Sequence, residues 1–323
     1  PARFRGAEIR SDHPVSPALL RRVRRVEGLL RGWLPDRTRP ITVSAEPVAA
    51  EAPRGAIRAV SFFAGGVDSF DTAIRNLASP AIGNPPLTHA VYLPEFDGPA
   101  RRSAQRITGT IRALGLEPIV AGTNLRQVFP VDWEWHRGTA LAAFAQALAG
   151  GFRVAFIPSS QSYAVERAAG SYPILDESCS TESLRISHDG ADAHRAAKIQ
   201  RSIATNPVAL ASLHSCTSGR PDHHNCGSCE KCRQTMLGLA AAGALESSGT
   251  FPKSLPPSFF KELKGMTAAP LEEALSVALA TGKGPELVAK LEQLIPKVRH
   301  RAALRRLVDV IVLRKGLRPG GNS

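Results

Sequence analysis

Between residues 57 and 157, short apolar runs alternate with stretches of helical periodicity, and no other feature restricts the fold as much. Ile57–Phe63, Ala90–Leu93, Pro118–Ala121 and Val154–Ile157 read as predominantly apolar strands. Asp68–Leu77, Pro99–Leu114 and Gly138–Leu148 read as helices between them. A strand apolar on both sides needs cover on both faces, and connections this long join parallel strands. The pattern predicts an α/β fold, a parallel sheet with helices on both faces. In such sheets ligands bind beyond the carboxyl ends of the strands. The loops after Phe63, Leu93, Ala121 and Ile157 are expected to share one cleft.

The flanks read differently. Residues 1–55 form an N-terminal extension. From Pro17 to Leu34, the apolar Leu19, Leu20, Val23, Val26, Leu29, Leu30, Trp33 and Leu34 mark one helix face, and Arg21, Arg22, Arg24, Arg25 and Arg31 fill the other. A packed amphipathic helix with a solvated basic face is favoured over a membrane-surface or nucleic-acid helix. Ile41–Val48 alternates like a strand, and Ala49–Gly55 reads as a linker. Helices are expected over Asp192–Ile203 and Arg233–Ala242. Residues 247–257 are rich in Ser, Pro and Gly, residues 258–316 look all-helical, and the tail Arg318–Ser323 reads as disordered. The expected division is an extension over 1–55, the sheet-containing domain over 56–246, and a helical region over 247–323.

Hydrophobic residues make up 43% of the 323, enough for a core, which excludes a disordered chain. No apolar run approaches the ~20 residues of a membrane helix. Residues 1–10 lack a signal-peptide core, so a soluble, cytoplasmic protein without membrane partners is expected. Lys and Arg number 41 against 28 Asp and Glu, a net charge of +13 that suits an anionic ligand, though scattered arginines also simply solvate a surface.

The first strand runs into Ala64-Gly65-Gly66-Val67-Asp68-Ser69, and a helix pattern follows at once. Two glycines let the backbone turn tightly and approach a ligand. The helix start then offers free N–H groups to an anion. Ser69 adds a hydroxyl, and Asp68 suits Mg²⁺ or a local cap. The Gly-Lys-Ser/Thr ending of a Walker loop is absent.

Of five cysteines, Cys216, Cys226, Cys229 and Cys232 lie within seventeen residues. Two-residue gaps let neighbouring thiolates turn onto one ion, and four thiolates make a closed, structural Zn²⁺ site. An iron–sulfur cluster is the minority alternative. His214, His223 and His224 are spare ligands or surface residues. Cys179 stands apart, as a pocket residue, a nucleophile or a persulfide carrier.

Ala64–Ser69 resembles the Ser-Gly-Gly-x-Asp-Ser signature of the PP-loop (N-type) ATP pyrophosphatases, with Ala64 in place of the first Ser. That change removes one hydroxyl and leaves the backbone cradle. The cysteine spacing is similar to that of the 7-cyano-7-deazaguanine synthases within this superfamily. So are Trp135-His136-Arg137-Gly138-Thr139, Ile157-Pro158-Ser159-Ser160, and Tyr172-Pro173 through Cys179 to Glu182, which Ile174-Leu175 interrupts. The likeness covers about residues 57–240. It implies an adenine nucleotide alpha hydrolase-like fold, ATP and Mg²⁺ bound at Ala64–Ser69 with Arg137, and zinc on the four cysteines. It places Ser160, Asp176, Cys179 and Glu182 in a substrate pocket. Asp68, Arg137, Arg195 and Lys198 become the catalytic candidates, with the basic position ambiguous between His194-Arg195 and Lys198. The implied reaction adenylates a carboxylate or amide oxygen of a small molecule or peptide, releases pyrophosphate, and passes the acyl group to ammonia or an amine. A tRNA-modifying thiolase or ligase is the second reading, a non-catalytic nucleotide-binding subunit the third. A homodimer is compatible with all three readings.

Overall fold

The computed structural model describes residues 8–49, 58–80, 82–96, 103–128, 132–165, 168–218 and 225–314. Residue contacts separate two compact units, which divide between Ala193 and His194. The expected linker over 50–55 and the tail 318–323 lie outside the described residues.

The first unit opens with β1 (Glu8–Arg10), helix α1 (Pro17–Trp33) and β2 (Thr42–Ser44), whose strands pair in parallel as a small separate sheet. Its main sheet has β3 (Ala59–Phe62), β4 (Leu87–Tyr92), β5 (Glu117–Val120), β6 (Val154–Pro158) and β7 (Arg185–Asp189). All neighbours are parallel, in the order β5-β4-β3-β6-β7. The predicted parallel α/β sheet is thus present. The chain winds outward from β3 to one edge, then returns to fill the other side, so the order reverses between β3 and β6.

Each residue of β3 is buried, as a central strand covered on two faces requires. On one face Val60, Phe62 and Val91 pack with Ala142 and Ala145 of α5 (Arg137–Ala147) and with Phe152, Ile157 and Ile186. Below the strand end, Phe63 meets Phe70 of α2 (Val67–Ala78) edge-on, with centroids 5.0 Å apart. Ile107 and Ile111 bury one side of α3 (Ala104–Ala113). Each such side chain contributes about 1.5–3 kcal/mol by leaving water. A four-residue turn of helix, α4 (Leu125–Val128), follows β5, and a short helix, α6 (Pro173–Glu177), precedes β7.

Helix α1 belongs to this first unit. Val26 and Leu30 pack on Leu175, with Leu29, Trp33 and Tyr172 around them, and Trp33 meets Tyr172 edge-on at 5.4 Å. Ser16 caps the helix by accepting from Leu19 N–H. Its hydroxyl donates to Glu182, which also accepts from Ala18 N–H at 2.9 Å. Arg22 donates to Ser180 O at 2.7 Å. The Ser16 hydrogen bond, against some burial, holds the Glu182 carboxyl below its usual 4.5. That contribution is therefore present above about pH 4.5 and fades as pH falls through the lowered value. Glu182→Ala is expected to cost less than about 1 kcal/mol at neutral pH, because the carboxylate is exposed, and the deficit should vanish in acid melts.

The second unit is helical among its described residues. Helix α7 (Arg195–Lys198) continues as a π-turn over Ile199–Ile203, followed by α8 (Pro207–Ser212) and α9 (Glu230–Ala241). Then come α10 (Phe259–Glu262), α11 (Ala269–Thr281) and α12 (Pro285–Arg314). A Cβ on Gly238 would lie 2.6 Å from Ile199 Cδ1, so its absence lets α9 approach α7. Leu271, Ala274 and Val277 of α11 and Leu291, Ile295 and Val298 of α12 are buried. The Ser/Pro/Gly stretch at 247–257 has no helix or strand, yet it is packed. Thr250 donates to Leu213 O at 2.6 Å, and Phe251 is buried.

Several elements differ from the sequence expectation. Strand β7 was not expected, and Asp192–Ile203 starts later, as a short α-turn passing into a π-turn. The strand over Ile41–Val48 is reduced to Thr42–Ser44. Helix 99–114 is described only from its later part, since 99–102 fall outside the described residues.

Candidate active site and metal centre

The loop after β3 sits where the strand order reverses, between β4 and β6. Loops on the two sides of such a point run apart and leave a crevice. Gly65 has φ +72°, and a Cβ there would stand 3.1 Å from Ile107 Cδ1, so both backbone and space call for glycine. Gly66 is the N-cap of α2 in extended conformation and supplies no side-chain cap. The first N–H groups of a three-turn helix therefore face outward with its positive dipole end, an arrangement that attracts an anion. Ser69 is buried and donates its hydroxyl to Gly66 O at 3.0 Å. Asp68 lies half-buried in the same turn.

Arg137 opens α5, and its Nη2 donates to Ser160 Oγ at 3.4 Å, just beyond the end of β6. Its Nη1 is 4.0 Å from Glu134. Arg137 and Ser160 are thus brought together at the carboxyl edge of the sheet. The segment carrying Arg137 is held rigidly. Gly138 N–H donates to Gly170 O, and Gly170 N–H to Glu134 O, each at 2.8 Å. A Cβ on Gly138 would strike Asp176 Oδ1 and the 170–171 backbone, and one on Gly170 would strike the Trp135–His136 backbone.

Asp176, expected to line a pocket, is fully buried. Its Oδ2 is 2.7 Å from His188 Nδ1 and accepts from Ser171 Oγ at 2.7 Å. Its Oδ1 has no hydrogen-bond partner among the described residues. Facing a carboxylate oxygen, Nδ1 of His188 is the donor of this contact. His188 lies on β7 opposite Ile157 of β6. Cys179 is half-buried against the sheet core, its Sγ 3.5 Å from Leu175 O. Glu182 is exposed and engaged by α1. Of the four expected pocket residues, Ser160 is hydrogen-bonded to Arg137.

Arg195 and Lys198 lie in the second unit, on α7, where His194 accepts from Ala197 N–H as N-cap. Lys198 is only 2% exposed. Glu273 of α11 is held above its usual carboxyl range by burial, opposed by Arg195, the Ala196 N–H and Lys198. His194 sits 3.4 Å from Glu273, and burial and then Lys198 lower its pKa.

The second unit also carries a four-cysteine group that can hold a metal ion. The sulfurs of Cys216, Cys226, Cys229 and Cys232 all lie within 4.8 Å of one another. Cys226 and Cys232 are 3.9 Å apart. Tetrahedral zinc with Zn–S near 2.3 Å places its sulfurs about 3.8 Å apart, so the group fits. Gly227, at φ +69°, makes the turn between Cys226 and Cys229, and Cys229 caps α9, whose first turn bears Cys232. Burial pushes the Cys226 thiol up. Hydrogen bonds from Ser228 and the Cys229 N–H outweigh it and bring the thiol to about 5, ready as a thiolate. Burial raises Cys232. Asn225 clamps the site: its Oδ1 accepts from Ser215 and Cys216 N–H, and its Nδ2 donates to Leu213 and Thr250 carbonyls. His214 is half-buried, and 223–224 fall outside the described residues.

No protein-family model, curated protein or solved structure matches the chain. Sequence reasoning missed His188, Ser171 and Asn225. Only the position of Asn225 next to Cys226 was a usable signal.

Proposed function

We infer that the chain is an ATP-dependent, AMP- and pyrophosphate-forming C–N ligase of the PP-loop type, similar to 7-cyano-7-deazaguanine synthase, on an adenine nucleotide alpha hydrolase-like sheet. One observation carries the reading: the Gly65–Gly66 turn presents an uncapped α2 N-terminus at the reversal of strand order. The first N–H groups of α2 hold the phosphates. Ser69, by rotating its hydroxyl away from Gly66 O, adds a donor. Asp68 suits Mg²⁺, which supplies countercharge to the departing pyrophosphate. A substrate carboxylate oxygen attacks the α-phosphorus, and pyrophosphate leaves. Ammonia or an amine then attacks the acyl carbon; the C–N bond forms, AMP departs with the C–O electron pair, and nitrogen gives up a proton. Arg137 is the cation assigned to charge developing on the phosphates. The four-cysteine centre, with no open ligand position, holds zinc as a structural ion.

The test is pyrophosphate release with ATP, Mg²⁺, ammonium and a panel of small and peptide carboxylates. Arg137→Ala is expected to lower it about 10²–10³-fold, the effect of deleting one preorganised donor. Release by way of ADP and phosphate would contradict the reading. A second reading, nucleotide binding without turnover, rests on Ala64, and ATP binding with no pyrophosphate across the panel would support it.

A further inference from the structure

The solvent face of α1 has an unusual composition. Its exposed positions are Arg21, Arg24, Arg25, Gly28, Arg31 and Gly32, and the other residues of the helix are at least half-buried. The spacing makes one continuous stripe along the helix. Glu27, the single acid in α1, accepts from Ile41 N–H instead. No ion pair joins Arg24, Arg25 or Arg31 to a carboxylate among the described residues. The stripe continues past the helix into a groove of about 530 Å³ lined by Gly28, Arg31, Gly32, Thr38, Arg39 and Pro40.

This face costs the fold stability. Like charges at this spacing repel by about 0.2–0.5 kcal/mol per pair. Each glycine in a helix interior costs about 1 kcal/mol against alanine. A Cβ on Gly28 or Gly32 would meet nothing within 4 Å, so internal packing does not require either. Bare backbone between guanidinium groups does suit a ligand that must come close and carries a row of negative charges.

We propose that the outer face of α1 and the adjoining groove bind the phosphodiester backbone of a nucleic acid. From Arg21 to Gly32 the stripe runs roughly 16 Å, at 1.5 Å per residue, enough for several successive phosphates. An anionic membrane is the poorer fit, because Val26, Leu30 and Trp33 are turned inward and no apolar side chain remains to insert. An acidic protein is also poorer, since the stripe lacks the aromatic or aliphatic anchors that fix protein interfaces. This inference stands independently of the ATP chemistry.

The experiment measures binding of fluorescein-labelled RNA and DNA hairpins to the full chain by anisotropy across a salt series. Replacing Arg21, Arg24, Arg25 and Arg31 together by Gln is expected to weaken binding at least tenfold and flatten the log Kd–log salt slope by about 3, at 0.7–0.9 per lost phosphate contact. A Gly28→Glu/Gly32→Glu variant is expected to lose binding while α1 becomes more stable, because Glu favours helix over Gly. Binding of either hairpin supports the proposal, and the tighter one names the source. Unchanged affinity and slope in both variants would overturn it. So would retention on phosphatidylserine vesicles, or displacement by polyglutamate as effective as by RNA at equal charge.

Discussion

Cys232→Ser is expected to purify without its metal and to lose the cooperative melting of the second unit. Cys232 is completely buried at the first turn of α9, and Cys216 is 2% exposed beneath it. Three of the four candidate ligands come from the seven residues Cys226–Cys232, and the fourth comes from a separate segment joined to them through Asn225. Without the ion, buried sulfurs that repel as thiolates must take up protons and lose their common partner. Structural zinc in small domains supplies about 10–16 kcal/mol of apparent folding free energy, comparable with a whole domain's stability. Metal analysis should find about one zinc per parent chain and essentially none in the variant. Calorimetry should show the second unit's transition lost, with that of the first unit retained. A parent chain that melts unchanged after full chelation would contradict the structural role.

Gly138→Ala is expected to destabilise the first unit by about 3 kcal/mol, the upper end for one overpacked carbon, and to abolish Arg137-dependent activity. The added Cβ would strike Asp176 Oδ1 and lie 2.7 Å from Gly170 O and 2.8 Å from Ser171 Cα. None of these yields easily. Asp176 is tied to His188 and Ser171, and the other two atoms are backbone locked to Glu134 and Gly138. Relief requires moving the start of α5, and Arg137 with it. For a unit of this size the melting temperature should fall by roughly 6–12 °C. Gly109→Ala is the control: it is exposed in α3 with nothing within 4 Å, and should stabilise by about 0.5–1 kcal/mol. Similar effects of the two substitutions would show that Gly138 is not the pivot described.

Much of this organisation was legible because it is written locally. Parallel strands announce themselves as apolar runs, and Gly65-Gly66 and the Cys-x-x-Cys-x-x-Cys spacing specify their own turns. Strand β7 was illegible because Arg185, Ser187, His188 and Asp189 leave only Ile186 as an apolar signal; its partner β6 makes it a strand. The burial of Asp176 was hidden for a similar reason. Its partners His188, Ser171 and Gly138 come from three separate stretches. Glu182 read as a pocket residue, whereas an N-cap more than 160 residues earlier in the chain engages it. The basic face of α1 was visible in sequence, but its restriction to Arg and Gly emerges only once Leu175 and Tyr172 show which side is covered.

The central claim is that the loop from Ala64 to Ser69 holds nucleotide phosphates. Amide hydrogen exchange with and without saturating Mg²⁺–ATP tests it directly, without knowledge of the acyl substrate. The account predicts slowed exchange in the peptide spanning Phe63–Phe70, weaker slowing around Arg137, and loss of both in Gly65→Asp. Unchanged exchange at Ala64–Ser69 under saturating ATP, or protection confined to other segments, would contradict it.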